Sequence, residues 1–185
     1  MEETEVEDTS RHFDADRGAS PLPLRGAVVD GRYRVIRLIG EGGFGWVFEV
    51  EHLLLGRNFA MKILHPRIAA DPAWVRRFRE EARATAAIGH ECIIFVTDYG
   101  QCGQFGYYFT MEYVQGQTLA EILVAQSTIA LEDVMNFAIT ASSALGAVHE
   151  LGITHCDLKP GNVMAVPRHD GQVGWKFLDF GTSTF

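Results

Sequence analysis

The pattern of apolar residues predicts an α+β fold, mainly β before about residue 115 and mainly helical after it. Three observations predict it. Short runs of period-two alternation recur through the first part of the chain. Beyond Gly116 the apolar residues instead return at helical spacing. The composition, 47% hydrophobic and 22% charged over 185 residues, is that of a chain with one real core. It excludes a collagen-like, coiled-coil or wholly disordered protein.

The elements follow in order. Residues 1–16 hold Glu2, Glu3, Glu5, Glu7, Asp8, Asp14 and Asp16 against Arg11 alone, so this stretch carries −6 of the net −8. It lacks the apolar residues needed to offset ordering entropy, and an acidic, disordered tail is expected over residues 1–30. Pro21 and Pro23 bracket Leu22 in an extended lead-in, and ordered structure is expected from near Tyr33. Tyr33 to Ile39 and Trp46 to Glu51 alternate polar and apolar residues around a glycine-rich turn, the pattern of a β-hairpin. Arg57 to Leu64 reads as a third strand. Asp71 then caps a helix over Ala73 to Ile88, with Pro72 at its start and Val75, Phe78, Ala82 and Thr85 or Ala86 on one face. Ile93 to Tyr99 and Tyr107 to Val114 are two further strands joined by a loop from Gly100 to Gly106. Thr118 can cap a short helix through Val124. Leu131 to Leu151 places Val134, Phe137, Ala138, Ala141, Leu145 and Val148 at helical spacing and ends at Gly152. Val163 to Val166 and Trp175 to Leu178 close the chain as short strands among polar loops.

Beyond residue 16 the chain carries only −2 and has no basic stripe, which argues against a nucleic-acid partner. No apolar run reaches the roughly 18 residues of a membrane span, and the start lacks the basic and apolar segments of a secretory signal, so a cytoplasmic protein is expected. Cys92, Cys102 and Cys156 have no C-x-x-C spacing, which argues against structural disulfides and zinc. Thirteen of the 16 basic residues are Arg, so the three lysines, Lys62, Lys159 and Lys176, stand out.

Gly40-Glu41-Gly42-Gly43-Phe44-Gly45-Trp46-Val47 fits G-x-G-x-x-G-x-V. Alone it is a weak signal, because a dinucleotide-binding loop uses a similar string. Here the glycines join strand to strand, whereas the dinucleotide fingerprint opens a helix. Lys62 lies in the apolar run Phe59-Ala60-Met61-Lys62, where a buried ammonium requires an anionic partner. Glu81 on the following helix can supply it; standing alone, Lys62 would read as a strand-edge lysine reaching solvent. His155-Cys156-Asp157-Leu158-Lys159-Pro160-Gly161-Asn162 follows the long helix, and Leu178-Asp179-Phe180-Gly181 comes a hairpin later.

Together these four motifs, in this order, resemble the signature set of the eukaryotic-like Ser/Thr protein kinases, in their bacterial form. The resemblance covers roughly Tyr33 to Ser183. It implies a complete N-lobe over residues 31–114, with a five-stranded antiparallel sheet and one helix, and a partial helical C-lobe over residues 115–185. It implies ATP and Mg2+ as cofactors. Ile39, Gly40, Glu41, Gly42, Gly43, Phe44 and Gly45 would cover the nucleotide, and Val47, Ala60 and Met164 would sandwich adenine. Met111 would be the gatekeeper, with the backbone of Glu112 and Val114 contacting the base. Lys62, oriented by Glu81 rather than the neighbouring Glu80, would contact the α- and β-phosphates. Asp157 would accept the substrate hydroxyl proton, Lys159 would steady the γ-phosphate, and Asn162 and Asp179 would hold magnesium. Lys176 is expected on a solvent-facing strand.

The sequence departs from the family pattern in two places. Cys156 stands where the catalytic loop normally carries arginine, which puts control through a phosphorylated activation loop in doubt. The sequence also stops four residues after Gly181, so the expectation is a kinase domain truncated just after Asp-Phe-Gly, weak or inactive in turnover, with a partner over its incomplete C-lobe. The alternatives are a catalytically silent, pseudokinase-like nucleotide-binding module acting through a partner, and a small-molecule kinase of related fold. Asp-Leu-Lys-Pro and Asp-Phe-Gly favour protein kinases over the latter.

Overall fold

A computed structural model describes residues 24–103, 105–126, 128–168 and 172–179. The acidic stretch at residues 1–16, and Phe180 and Gly181 of the Asp-Phe-Gly motif, lie outside the described residues. The first part is a six-stranded antiparallel sheet in the order β1-β2-β3-β4-β6-β5. Its strands are β1 (Val28–Val29), β2 (Tyr33–Glu41), β3 (Gly45–His52), β4 (Arg57–Leu64), β5 (Val96–Cys102) and β6 (Gly106–Glu112). Between β4 and β5 run a short helix α1 (Pro66–Ala69) and the long α2 (Pro72–Ile88). A second sheet, β7 (Gln117–Thr118), β8 (Val163–Pro167) and β9 (Val173–Phe177), sits with helices α3 (Leu119–Gln126) and α4 (Leu131–Glu150). Among the described residues no helix is long and apolar enough to cross a membrane.

The sheet starts earlier than the alternation suggested. Val28 and Val29 pair with Arg34 and Tyr33, and Val29 is fully buried. A two-residue strand is too short to show a period, which is why only the tertiary pairing reveals it. β5 likewise lies later than expected, because Gly100 belongs to the strand rather than the turn. A Cβ there would come within 2.5 Å of the Tyr108 ring, so this glycine lets an aromatic side chain cross the strand.

Helix α2 forms as its caps direct. The Asp71 carboxylate accepts from the Ala73 amide at 2.8 Å, Pro72 occupies the first turn, and Gly89 ends the helix at φ 60°. It buries Phe78, Glu81, Ala82, Ala84, Thr85 and Ile88, which resolves the Thr85 or Ala86 alternative for Thr85. α3 carries a capping box: the Thr118 amide donates to Glu121 at 2.7 Å and Thr118 Oγ1 accepts from the Glu121 amide at 3.2 Å.

Three hydrophobic clusters organise the chain. One lies on the far face of the first sheet around Trp46, Phe48, Met61 and Tyr108. A second joins the other face, through Leu64, Val96 and Phe109, to Phe78 and Ala82 of α2. The third runs from the end of α2 (Ala84, Ile88) through Ile93 into Ala144 and Val148 of α4 and Val163, Trp175 and Phe177 of the second sheet. α4 fully buries Ala144 and Val148; of the face expected of it, Phe137 and Ala141 pack against this cluster while Val134 is exposed, as are Met135 and Ile139 beside it.

Candidate active site

The register of the first sheet puts the expected nucleotide residues on one surface. Val47 pairs with Lys62, Lys62 with Phe109, and Ala60 with Met111. Directly opposed residues of antiparallel strands share a face, as do residues two apart on one strand. Val47, Ala60, Lys62, Phe109 and Met111 therefore point the same way, toward α2. Met164 comes from the second sheet, where it opposes Thr118 and Lys176. Ile39 and Glu41 lie at the end of β2, before the exposed glycines Gly42 and Gly43.

Gly45 is required for packing: a Cβ there would meet the Ile63 carbonyl at 2.2 Å. At Gly42 and Gly43 a Cβ would meet no protein atom within 4 Å. These two are not demanded by the packing of the fold.

Lys62 meets Glu81 at 2.6 Å and Asp179 at 3.1 Å. Burial works against the charge on Lys62, but the carboxylates of Glu81 and Asp179 outweigh it and raise the lysine pKa. Burial pushes the Glu81 carboxyl up to about 7, with Lys62 opposing the shift and Asp179 adding to it. The cluster is thus an ammonium held by one deeply buried and one more open carboxylate. Glu80, the neighbouring acid, faces solvent.

The loop after α4 builds a second cluster. Lys159 Nζ lies 2.6 Å from Asp157 Oδ2. Asn162 Nδ2 donates to the Asp157 carbonyl at 2.8 Å and to its Oδ2 at 3.1 Å. Because both bonds use the amide nitrogen, the Asn162 side-chain oxygen is what that residue offers a cation. His155 Nε2 donates to the Leu178 carbonyl at 3.1 Å, and the Leu178 amide donates to the Asn162 carbonyl at 2.8 Å. The segment carrying Asp179 is therefore tied to the loop carrying Asp157. Cys156 and Asp179 both hold positive φ, at 59° and 54°, so the backbone flanking this cluster is strained.

The structure thus gathers Lys62, Glu81 and Asp179 in one group and Asp157, Lys159 and Asn162 in another. One expectation is corrected. Lys176 does not face solvent: its ammonium pairs with Glu112 across the two sheets at 2.5 Å, and Glu112 also accepts from the Phe95 amide at 3.0 Å. The residues are 64 apart, and strand alternation assigns only a face, so no local pattern could reveal the pair.

Residues 33–185 match the model of the protein kinase domain. The chain belongs to the protein kinase family. It is 39% identical over 163 residues to the serine/threonine-protein kinase PknA of Mycobacterium tuberculosis, covering 86% of this chain and 37% of the relative. It is 36% identical over 161 residues to PrkC of Bacillus subtilis, covering 87% and 24% respectively. The chain therefore spans about a quarter to a third of the length of these relatives. Its fold matches the kinase domain of Mycobacterium tuberculosis PknI with a TM-score of 0.68 at 29% identity, over 86% of this chain and 63% of that one. In sequence it is similar to bacterial Ser/Thr protein kinases, and in fold it is a kinase N-lobe with part of a C-lobe.

Proposed function

We propose that this chain carries the ATP site and catalytic loop of a Ser/Thr protein kinase, transferring the γ-phosphoryl group of ATP to a Ser or Thr hydroxyl. The observation that carries the reading is the formed Lys62–Glu81 pair, present in the same molecule as the Asp157–Lys159–Asn162 cluster. Phosphoryl transfer is mostly positioning and charge neutralisation. Lys62, with its ammonium held by Glu81, would bind the α- and β-phosphates. Asp157 would take the proton as the substrate oxygen bonds to phosphorus and the bond to ADP breaks. Lys159 would offset charge on the γ-phosphate. Asn162 and Asp179 present hard oxygen donors that suit Mg2+, which would neutralise phosphate charge there. The backbone of Glu112 and Val114 would meet adenine, with Val47, Ala60 and Met164 about the ring.

A second reading, a nucleotide-binding module that acts through a partner, is favoured by the open apolar face of α4. Leu131 and Ile139 on that helix are 76% and 68% exposed. One experiment separates the readings: Mg-ATP affinity by calorimetry alongside phosphorylation of a generic Ser/Thr substrate. Binding lost in Lys62→Ala and phosphorylation abolished in Asp157→Asn support the kinase reading. Binding without phosphorylation supports the silent module, and absence of Mg-ATP binding overturns both.

A further inference from the structure

We propose that His65 is a positioning residue that fixes the peptide planes of the glycine-rich loop and so sets the loop's affinity for phosphate groups. The inference rests on the nucleotide-binding reading above and deepens it. His65 lies between β4 and α1 and is 7% exposed, yet it takes no part in the two charged clusters. Its imidazole Nε2 lies 3.0 Å from the Gly42 carbonyl oxygen. A carbonyl only accepts, so Nε2 carries the hydrogen. The same residue's amide donates to the Phe44 carbonyl at 2.9 Å. Trp46 holds the imidazole from the side, edge-on with ring centroids 4.2 Å apart.

In a trans peptide the C=O and the following N–H point in opposite directions. Holding the Gly42 carbonyl toward His65 therefore turns the Gly43 N–H away from it, outward from the end of β4. Among the described residues no other hydrogen bond holds that plane. Gly42 and Gly43 have no side chains, and a Cβ at either would touch no protein atom within 4 Å. Without the imidazole, the Gly42–Gly43 peptide is free to flip and present an oxygen where an anion needs a donor. The Gly42 amide, meanwhile, is occupied by the Gly45 carbonyl at 3.0 Å. The Phe44 ring packs on Trp74 of α2 at 4.8 Å, anchoring the far side of the loop. His65 thus supplies a side-chain contact that chooses the orientation of the exposed Gly42–Gly43 peptide.

The test uses the full 185-residue chain and two probes, ADP, which has phosphates, and adenosine, which has none. His65→Phe keeps the ring and its Trp46 contact but removes the N–H donor, and His65→Gln restores a donor. ADP affinity is expected to fall about tenfold in His65→Phe, the scale of one lost hydrogen bond, with adenosine affinity unchanged. His65→Gln is expected to recover most of the loss. A fall shared equally by ADP and adenosine, or no fall in either, overturns the proposal in favour of plain packing. If His65→Phe fails to fold, His65→Leu is measured the same way. If the wild-type chain binds neither probe, the nucleotide reading fails by itself. Hydrogen exchange at Gly42–Phe44 then decides the question: faster exchange in His65→Phe with β3 and β4 unchanged supports the proposal, and unchanged loop exchange sinks it.

Discussion

Burial pushes the Glu81 carboxyl up to about 7, and this makes one residue a source of pH dependence for the whole chain. In the unfolded chain the group releases its proton near its ordinary value of 4.5; in the folded chain it does so only near 7. Between those values the folded state holds the extra proton, so raising pH across this window favours unfolding. The associated stability is full below the lower value and lost as pH approaches the upper one. Urea midpoints measured from pH 4.5 to 7.5 should therefore fall in the wild type and stay flatter in Glu81→Gln; equal slopes would assign the effect elsewhere. The loop glycines divide just as cleanly. Gly45→Ala forces a Cβ onto the Ile63 carbonyl and should destabilise the first sheet by roughly 1–3 kcal/mol in urea denaturation. Gly43→Ala meets no neighbour and should leave the midpoint within about 0.5 kcal/mol. The Lys62–Glu81 contact was legible because a lysine in an apolar strand needs an anionic partner and the following helix offers one. The His65–Gly42 contact was not, because nothing in a lone histidine after a strand says which carbonyl its ring will meet.

At the scale of elements, β9 and β6 are coupled by Lys176 and Glu112, although they belong to different sheets. Glu112 bonds to Phe95 twice: its side chain accepts from the Phe95 amide at 3.0 Å, and its own amide donates to the Phe95 carbonyl at 3.0 Å. Lys176 then adds the strand that leads to Asp179. The contact bears on the segment whose backbone is proposed to meet adenine, and it lies away from the phosphates. Lys176→Met should therefore weaken ADP and adenosine binding alike, by a few-fold, without the phosphate-selective loss expected at His65. Calorimetry with both probes reads this directly, and a loss confined to ADP would show that the pair acts on the glycine-rich loop instead. The helices and long strands were readable from period and caps, as Asp71, Pro72 and Gly89 show for α2. The short strands β1 and β7 were not, since two residues carry no period and exist only through the partners they pair with.

The molecule as a whole joins its two sheets through one shared core. Ala84 and Ile88 of α2 pack with Ile93, Val148, Val163, Trp175 and Phe177, so residues before and after the turn to helical pattern enclose the same space. The backbone reinforces it: the Phe177 amide donates to the Cys92 carbonyl at 2.7 Å and the Ile94 amide to the Phe177 carbonyl at 3.0 Å. Two lobes joined only by a linker would unfold separately, but a core that takes side chains from both should make unfolding a single transition. The three tryptophans report on both sides, Trp46 in the first sheet, Trp74 on α2 and Trp175 on β9. With 5-fluorotryptophan incorporated, the three fluorine resonances should lose native intensity at one urea concentration. Ile93→Ala removes a buried side chain from the centre of the shared core and should destabilise the protein by about 2–5 kcal/mol. All three resonances should then shift together to lower urea. If the Trp175 resonance moved while those of Trp46 and Trp74 stayed, the sheets would be independent units. The Lys62–Asp179 contact across them would then need nucleotide, rather than the fold, to hold it.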